Sequence, residues 1–88
     1  MDHLRDEIDK IDQELIRLFE ERMNIVLQIV SYKKENNIPI LHFKREEEVI
    51  RKNMSYVKDS YYEKWAREFL QNIMEISKEI QKDKISRK

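Results

Sequence analysis

For its first 35 residues the chain runs without a glycine or a proline, and apolar residues return at every third or fourth position. Leu4, Ile8, Ile11, Leu15, Leu18, Ile25 and Ile29 fall on one line of a helix, the rhythm of a single buried stripe. Arg22 stands on that line, between Leu18 and Ile25. The pattern predicts one helix from Asp2, as its N-cap, to about Asn36, where Pro39 forbids continuation and biases Ile38 away from helix. About 35 residues at 1.5 Å each give roughly 50 Å, longer than a small domain is wide. The rest of the chain is too short to cover such a helix. Its simplest partner is a second copy, so the expected architecture is an intertwined homodimer.

Beyond Pro39 the chain again reads as helix. The whole chain lacks glycine, which removes phosphate-cradling loops and the preferred residue of two-residue hairpins. Abundant Glu, Lys, Leu, Ile and Gln then point to an all-α fold. A second helix is expected from Phe43 to Met54, with Phe43, Glu47, Ile50 and Met54 along one side. Residues 55–59 make a linker. A third helix is expected from about Ser60 to Lys82, with Trp65, Phe69, Ile73, Ile76 and Ile80 at helical spacing. Residues 1–82 therefore read as one three-helix domain, and residues 83–88 as a frayed polar tail.

Charge and composition exclude several classes of function. Lys+Arg 18 balances Asp+Glu 18, which argues against a general nucleic-acid or anionic-membrane binder. With no cysteine there are no disulfides, thiolate metal sites or cysteine nucleophiles. His3 and His42 form no metal-binding motif, so no metal is expected. The longest apolar run, Ile25-Val26-Leu27, is far too short to span a bilayer. The start, MDHLRDEIDK, is unlike a signal peptide, and the expected location is the cytoplasm.

Polar residues interrupt the apolar lanes in a pattern. Arg22 and Lys33 are eleven residues apart, so they face within about 20° of each other and lie roughly 16 Å apart along the axis. Burying unpaired cations costs several kcal/mol, so two of them on one lane suggest a small dianion held at both ends. On the third helix, the lane Leu70, Met74, Ser77, Gln81 turns polar and offers a hydroxyl and an amide, both neutral donors. On the second, His42, Arg45, Glu46 and Val49 share a face. Each feature also has an ordinary explanation. Arg22 can snorkel or pair with Asp12, Glu14 or Glu21; Lys33, Arg45 and Glu46 can be solvated surface; Ser77 and Gln81 can mark a lane leaving the core. Arg5 points about 100° away from Arg22 and reads as surface, or as serving the site of the other protomer.

In their order and spacing, these residues resemble the all-helical, AroQ-type chorismate mutases from about Leu4 to Gln81. The pieces are Leu4-Arg5-x-x-Ile8-x-x-x-Asp12-x-x-Leu15, Glu21-Arg22, Lys33, Pro39, Arg45-Glu46 and Glu75-x-Ser77-x-x-x-Gln81. The resemblance implies a dimer of three-helix protomers with two shared sites, chorismate as substrate, prephenate as product and no cofactor. It also implies roles. Arg5 would arrive from the other protomer, Arg22 would be the main carboxylate binder, and Lys33 would meet a carboxylate and the ether oxygen. Arg45 would support the carboxylate end, Glu46 would accept from the ring hydroxyl, Ser77 would touch the ring carboxylate, and Gln81 would donate to the ether oxygen. His42 departs from the pattern, standing where many relatives carry an aspartate near the hydroxyl. Two rivals share the fold: an isochorismate-pyruvate lyase and a non-catalytic helical dimerisation or regulatory module.

Overall fold

A computed structural model of the chain describes residues 1–39 and 43–86, with all of their side chains except those of Phe43 and Lys44. Among the described residues the regular secondary structure is all helix, with turns at 36–39 and 55–59. Helix α1 is Asp2–Glu35, α2 is Phe43–Met54, a short 3-10 turn covers Ser60–Tyr62, and α3 is Glu63–Ser86.

The helix ends reflect local chemistry. Met1, not Asp2, occupies the N-cap of α1. Asp2 sits one residue further in, where its carboxylate faces the positive end of the helix dipole. At the other end Asn36 is the C-cap, and Asn37 takes the left-handed conformation, with φ 56°. The Ile38 amide donates to the Lys33 carbonyl at 2.8 Å and the Asn37 amide to the Lys34 carbonyl at 3.4 Å. That is a Schellman closure, with asparagine in the left-handed position that glycine usually takes in such closures. Ahead of α3, the Asp59 carboxylate accepts from the Tyr61 amide at 3.0 Å and starts the 3-10 turn. The third helix thus opens with a tighter turn than expected. It then continues to Ser86, four residues past Lys82, so residues 83–86 are helical rather than frayed.

Packing departs from the sequence pattern in one important respect. α3 joins the other two helices, packing on α1 and on α2. The lane of α1 that it covers is Phe19, Met23, Val26 and Val30, of which Met23 and Val30 are buried. This lane lies about 80° around the helix from the Leu4–Ile29 stripe. The stripe expected to be buried is open in a single chain, from 46% exposed at Ile29 to 60% at Ile11. Up to Leu18, every residue of α1 is exposed. On α3, Leu70, Met74, Ser77 and Gln81 turn inward, whereas Trp65 and Phe69 remain half exposed. On α2 the covered side carries Glu46, Val49, Ile50, Asn53 and Met54, and Glu47, expected on the same side as Ile50, faces solvent.

The resulting shape is elongated, 52 × 26 × 15 Å, with α1 spanning its full length. Its radius of gyration is 15.9 Å, against about 12 Å for a compact domain of this length. Met23, Val30 and Met74 are the apolar residues buried among those described. Among the described residues, so small a core leaves little burial to offset the entropy of ordering three helices.

Candidate active site

Where the C-terminal half of α1 and α2 both pack on α3, the three helices line a cleft of about 200 Å³. Its lining is chemically mixed. Val26, Ile29, Val49 and Met74 supply apolar walls, and Arg22, Lys33, Arg45, Lys78, Glu46, Ser77 and Gln81 supply the polar groups. Four cations face one carboxylate. The cleft therefore favours a small anion with an apolar body.

Arg22 is the best defined of these groups. Its Nη1 donates to the Ser77 Oγ at 2.8 Å, and that hydroxyl donates onward to the Met23 Sδ at 3.6 Å. Ser77 is 5% exposed, so its oxygen is a fixed acceptor between α1 and α3. Burial pushes the Arg22 guanidinium below its ordinary pKa. Because arginine starts so high, it remains a cation at neutral pH. Among the described residues no ion pair involves Arg22. Two of the three acids that sequence offers as its partners are engaged elsewhere: Arg17 binds Glu14 at 2.8 Å and Glu21 at 3.1 Å, both in solvent. A half-buried cation oriented by a neutral hydroxyl is suited to receive a carboxylate from outside.

The other sequence-derived residues fall into place unequally. Lys33 is half-buried at the far end of the same α1 lane, and Gln81 lies one turn beyond Ser77 on α3. Arg45 lies at the rim and makes a long, exposed contact of 3.8 Å to Glu48. Such surface contacts hold a side chain weakly. Glu46 turns inward and meets the Lys78 ammonium at 3.5 Å, tying α2 to α3. Arg5 does not line the cleft; it is exposed on the N-terminal half of α1. His42 lies outside the described residues.

Lys78 is the polar group that sequence reasoning missed. The polar lane of α3 reads as Met74, Ser77, Gln81, yet Met74, Lys78 and Gln81 are also spaced by four and three. A lysine beside three acids and another lysine reads as solvated surface, and only the packing of α2 turns it inward.

Residues 4–82 match the family described as chorismate mutase type II. The chain belongs to that family. Every described residue lining the cleft falls within the matched segment. The chain is 40% identical over 58 residues to the bifunctional chorismate mutase/prephenate dehydratase of Aquifex aeolicus, covering 66% of this chain and 16% of that protein. It is 42% identical over 48 residues to the Buchnera aphidicola protein of the same name, covering 54% of this chain and 12% of the relative. A T-protein of Haemophilus influenzae is 44% identical over 43 residues, or 49% of this chain and 11% of that one. The chain thus spans only a small part of each relative's length. No solved structure matches the chain. Among the described residues no helix is long and apolar enough to cross a membrane.

Proposed function

We propose that residues 1–82 act as a chorismate mutase, which converts chorismate to prephenate by an intramolecular Claisen rearrangement on the route to phenylalanine and tyrosine. The observation that carries this reading is the convergence of Arg22, Lys33, Arg45, Glu46, Ser77 and Gln81 on one cleft from three helices, within the matched segment. The rearrangement requires no nucleophile, metal or organic cofactor. A protein accelerates it by holding the dianion in its reactive conformer and by stabilising charge on the ether oxygen as the C–O bond breaks. Arg22 and Arg45 serve the first task, since guanidinium matches carboxylate in a bidentate way. Ser77 orients Arg22 and touches the ring carboxylate, and Glu46 accepts from the ring hydroxyl. Lys33 and Gln81 donate to the ether oxygen, Lys33 also meeting a carboxylate. His42 is placed near the hydroxyl on the resemblance alone.

The same reading makes the active form a homodimer with shared sites. Two observations support it: the Leu4–Ile29 stripe is uncovered in one chain, and Arg5 is out of reach of its own cleft. Seventeen residues of straight helix separate Arg5 from Arg22, about 25 Å along the axis. A second copy covers the stripe and brings its own Arg5 to this cleft. A cytoplasmic location is part of the same proposal.

Purified protein offered chorismate is expected to form prephenate, detected by its acid conversion to phenylpyruvate. Salicylate and pyruvate from isochorismate, with no prephenate from chorismate, would establish the lyase instead. A second measurement addresses Gln81. A neutral amide donates at any pH, whereas a glutamate in its place donates only when protonated. Gln81→Glu is therefore expected to lose activity as pH rises through the new carboxyl's pKa, confining turnover to the acid side. A variant profile as flat as the parent's would remove Gln81 from the ether oxygen.

A further inference from the structure

We propose that Lys78 is a positioning residue for Glu46: it cancels the charge of the carboxylate that lines the cleft and holds it where a bound dianion meets it as a hydrogen-bond acceptor. The inference rests on the mutase reading of the cleft.

The observations concern one chain of charges. Glu46 on α2 is the carboxylate among the lining residues, and its side chain is 24% exposed. Beside a substrate with two negative charges, such a group repels unless something compensates it. The Lys78 Nζ lies 3.5 Å from the Glu46 Oε1 and is itself only 18% exposed. On its solvent side it meets the Glu75 Oε1 at 2.7 Å, and Glu75 is open to water. Its hydrogen bond to Glu75, with the nearby charge of Glu46, holds the ammonium above its ordinary pKa, so it is charged throughout the neutral range. Lys78 is thus anchored from outside by one acid while it faces another within the cleft. Arg22 has the converse environment, a cation held by a hydroxyl. The two halves of the cleft differ accordingly. The Arg22 end keeps its positive charge for a carboxylate, and at the Glu46 end Lys78 offsets the carboxylate that lines the cleft, so that it can accept from a hydroxyl.

This assigns Lys78 an effect on binding rather than on the bond-breaking step. Lys78→Met keeps the aliphatic stem and removes the charge. It is expected to raise KM for chorismate about tenfold with kcat within about threefold, and Lys78→Arg is expected to recover most of the loss. The deciding measurement is the double variant. With Glu46→Gln already present there is no charge to cancel, so adding Lys78→Met should change KM by less than about threefold. The dissociation constant of prephenate, measured by calorimetry on the same proteins, gives this comparison even where Glu46→Gln turns over slowly. Circular dichroism checks helix content, and Lys78→Gln replaces the methionine variant should that one lose it. An unmoved KM in both Lys78 variants overturns the proposal, as does a loss confined to kcat. An equal rise in KM with and without Glu46 also overturns it, since Lys78 would then touch the substrate directly. A parent protein that makes no prephenate fails earlier, on the function itself, and takes this inference with it.

Discussion

Lys33→Ala and Gln81→Ala are each expected to lower kcat/KM for chorismate by about 10²–10³-fold, with most of the loss in kcat. The size reflects the assigned role. Charge develops on the ether oxygen only as the bond breaks, so a donor aimed there stabilises the transition state more than the bound substrate. Both side chains line the cleft without lying in the buried core of Met23, Val30 and Met74. Truncating either one should therefore leave helix content and thermal stability close to the parent's. Ser77 is a poorer probe of chemistry, because it is buried and bonded to both Arg22 and Met23. Its removal mixes a packing defect with a catalytic one. Should Lys33→Ala and Gln81→Ala unfold the chain or leave turnover intact, a non-catalytic helical module becomes the better description.

The helices are legible in the sequence because their signals are local. Pro39 ends α1 one residue beyond its Schellman turn, and the linker before Ser60 is where the periodicity stops. Periodicity does not tell which neighbour covers a given lane. The Leu4–Ile29 stripe has the better rhythm, yet α3 packs on Phe19, Met23, Val26 and Val30, a lane shortened by Arg5 and Asp12 along the same line. Arg22 stands on the stripe, and its side chain reaches around to Ser77 on α3. Pairing with Glu14 or Glu21 fails for a reason also present in the sequence. Glu21 is adjacent to Arg22 but four residues after Arg17, and side chains meet at i,i+4 rather than i,i+1. Arg17 accordingly takes both Glu14 and Glu21. Lys78 is hidden for a different reason: its inward turn depends on where α2 lies, and that is a tertiary fact.

Mixing two inactive variants, Arg5→Ala and Arg22→Ala, is expected to restore activity to about a quarter of the parent's, the quantity that tests a shared site most directly. Each variant alone lacks one carboxylate ligand in both of its sites, and an arginine bonded to a dianion is worth 10²-fold or more, on the order of 3 kcal/mol. In a heterodimer the outcome is uneven. One site combines the intact Arg22 of the first chain with the intact Arg5 of the second, and the other site receives both losses. Unfolding the two proteins together and refolding them at equal concentration makes about half of the dimers heterodimers, each with one working site of two. The expected yield therefore has a definite value, which nonspecific rescue does not reproduce. It also depends on the exposed stripe: Leu15→Asp, in the half of α1 that its own chain leaves bare, should prevent recovery by blocking pairing. An Arg5→Ala variant as active as the parent would leave that arginine on the surface. Full inactivity of the mixture despite mass-verified heterodimers would mean that each cleft is built from one chain.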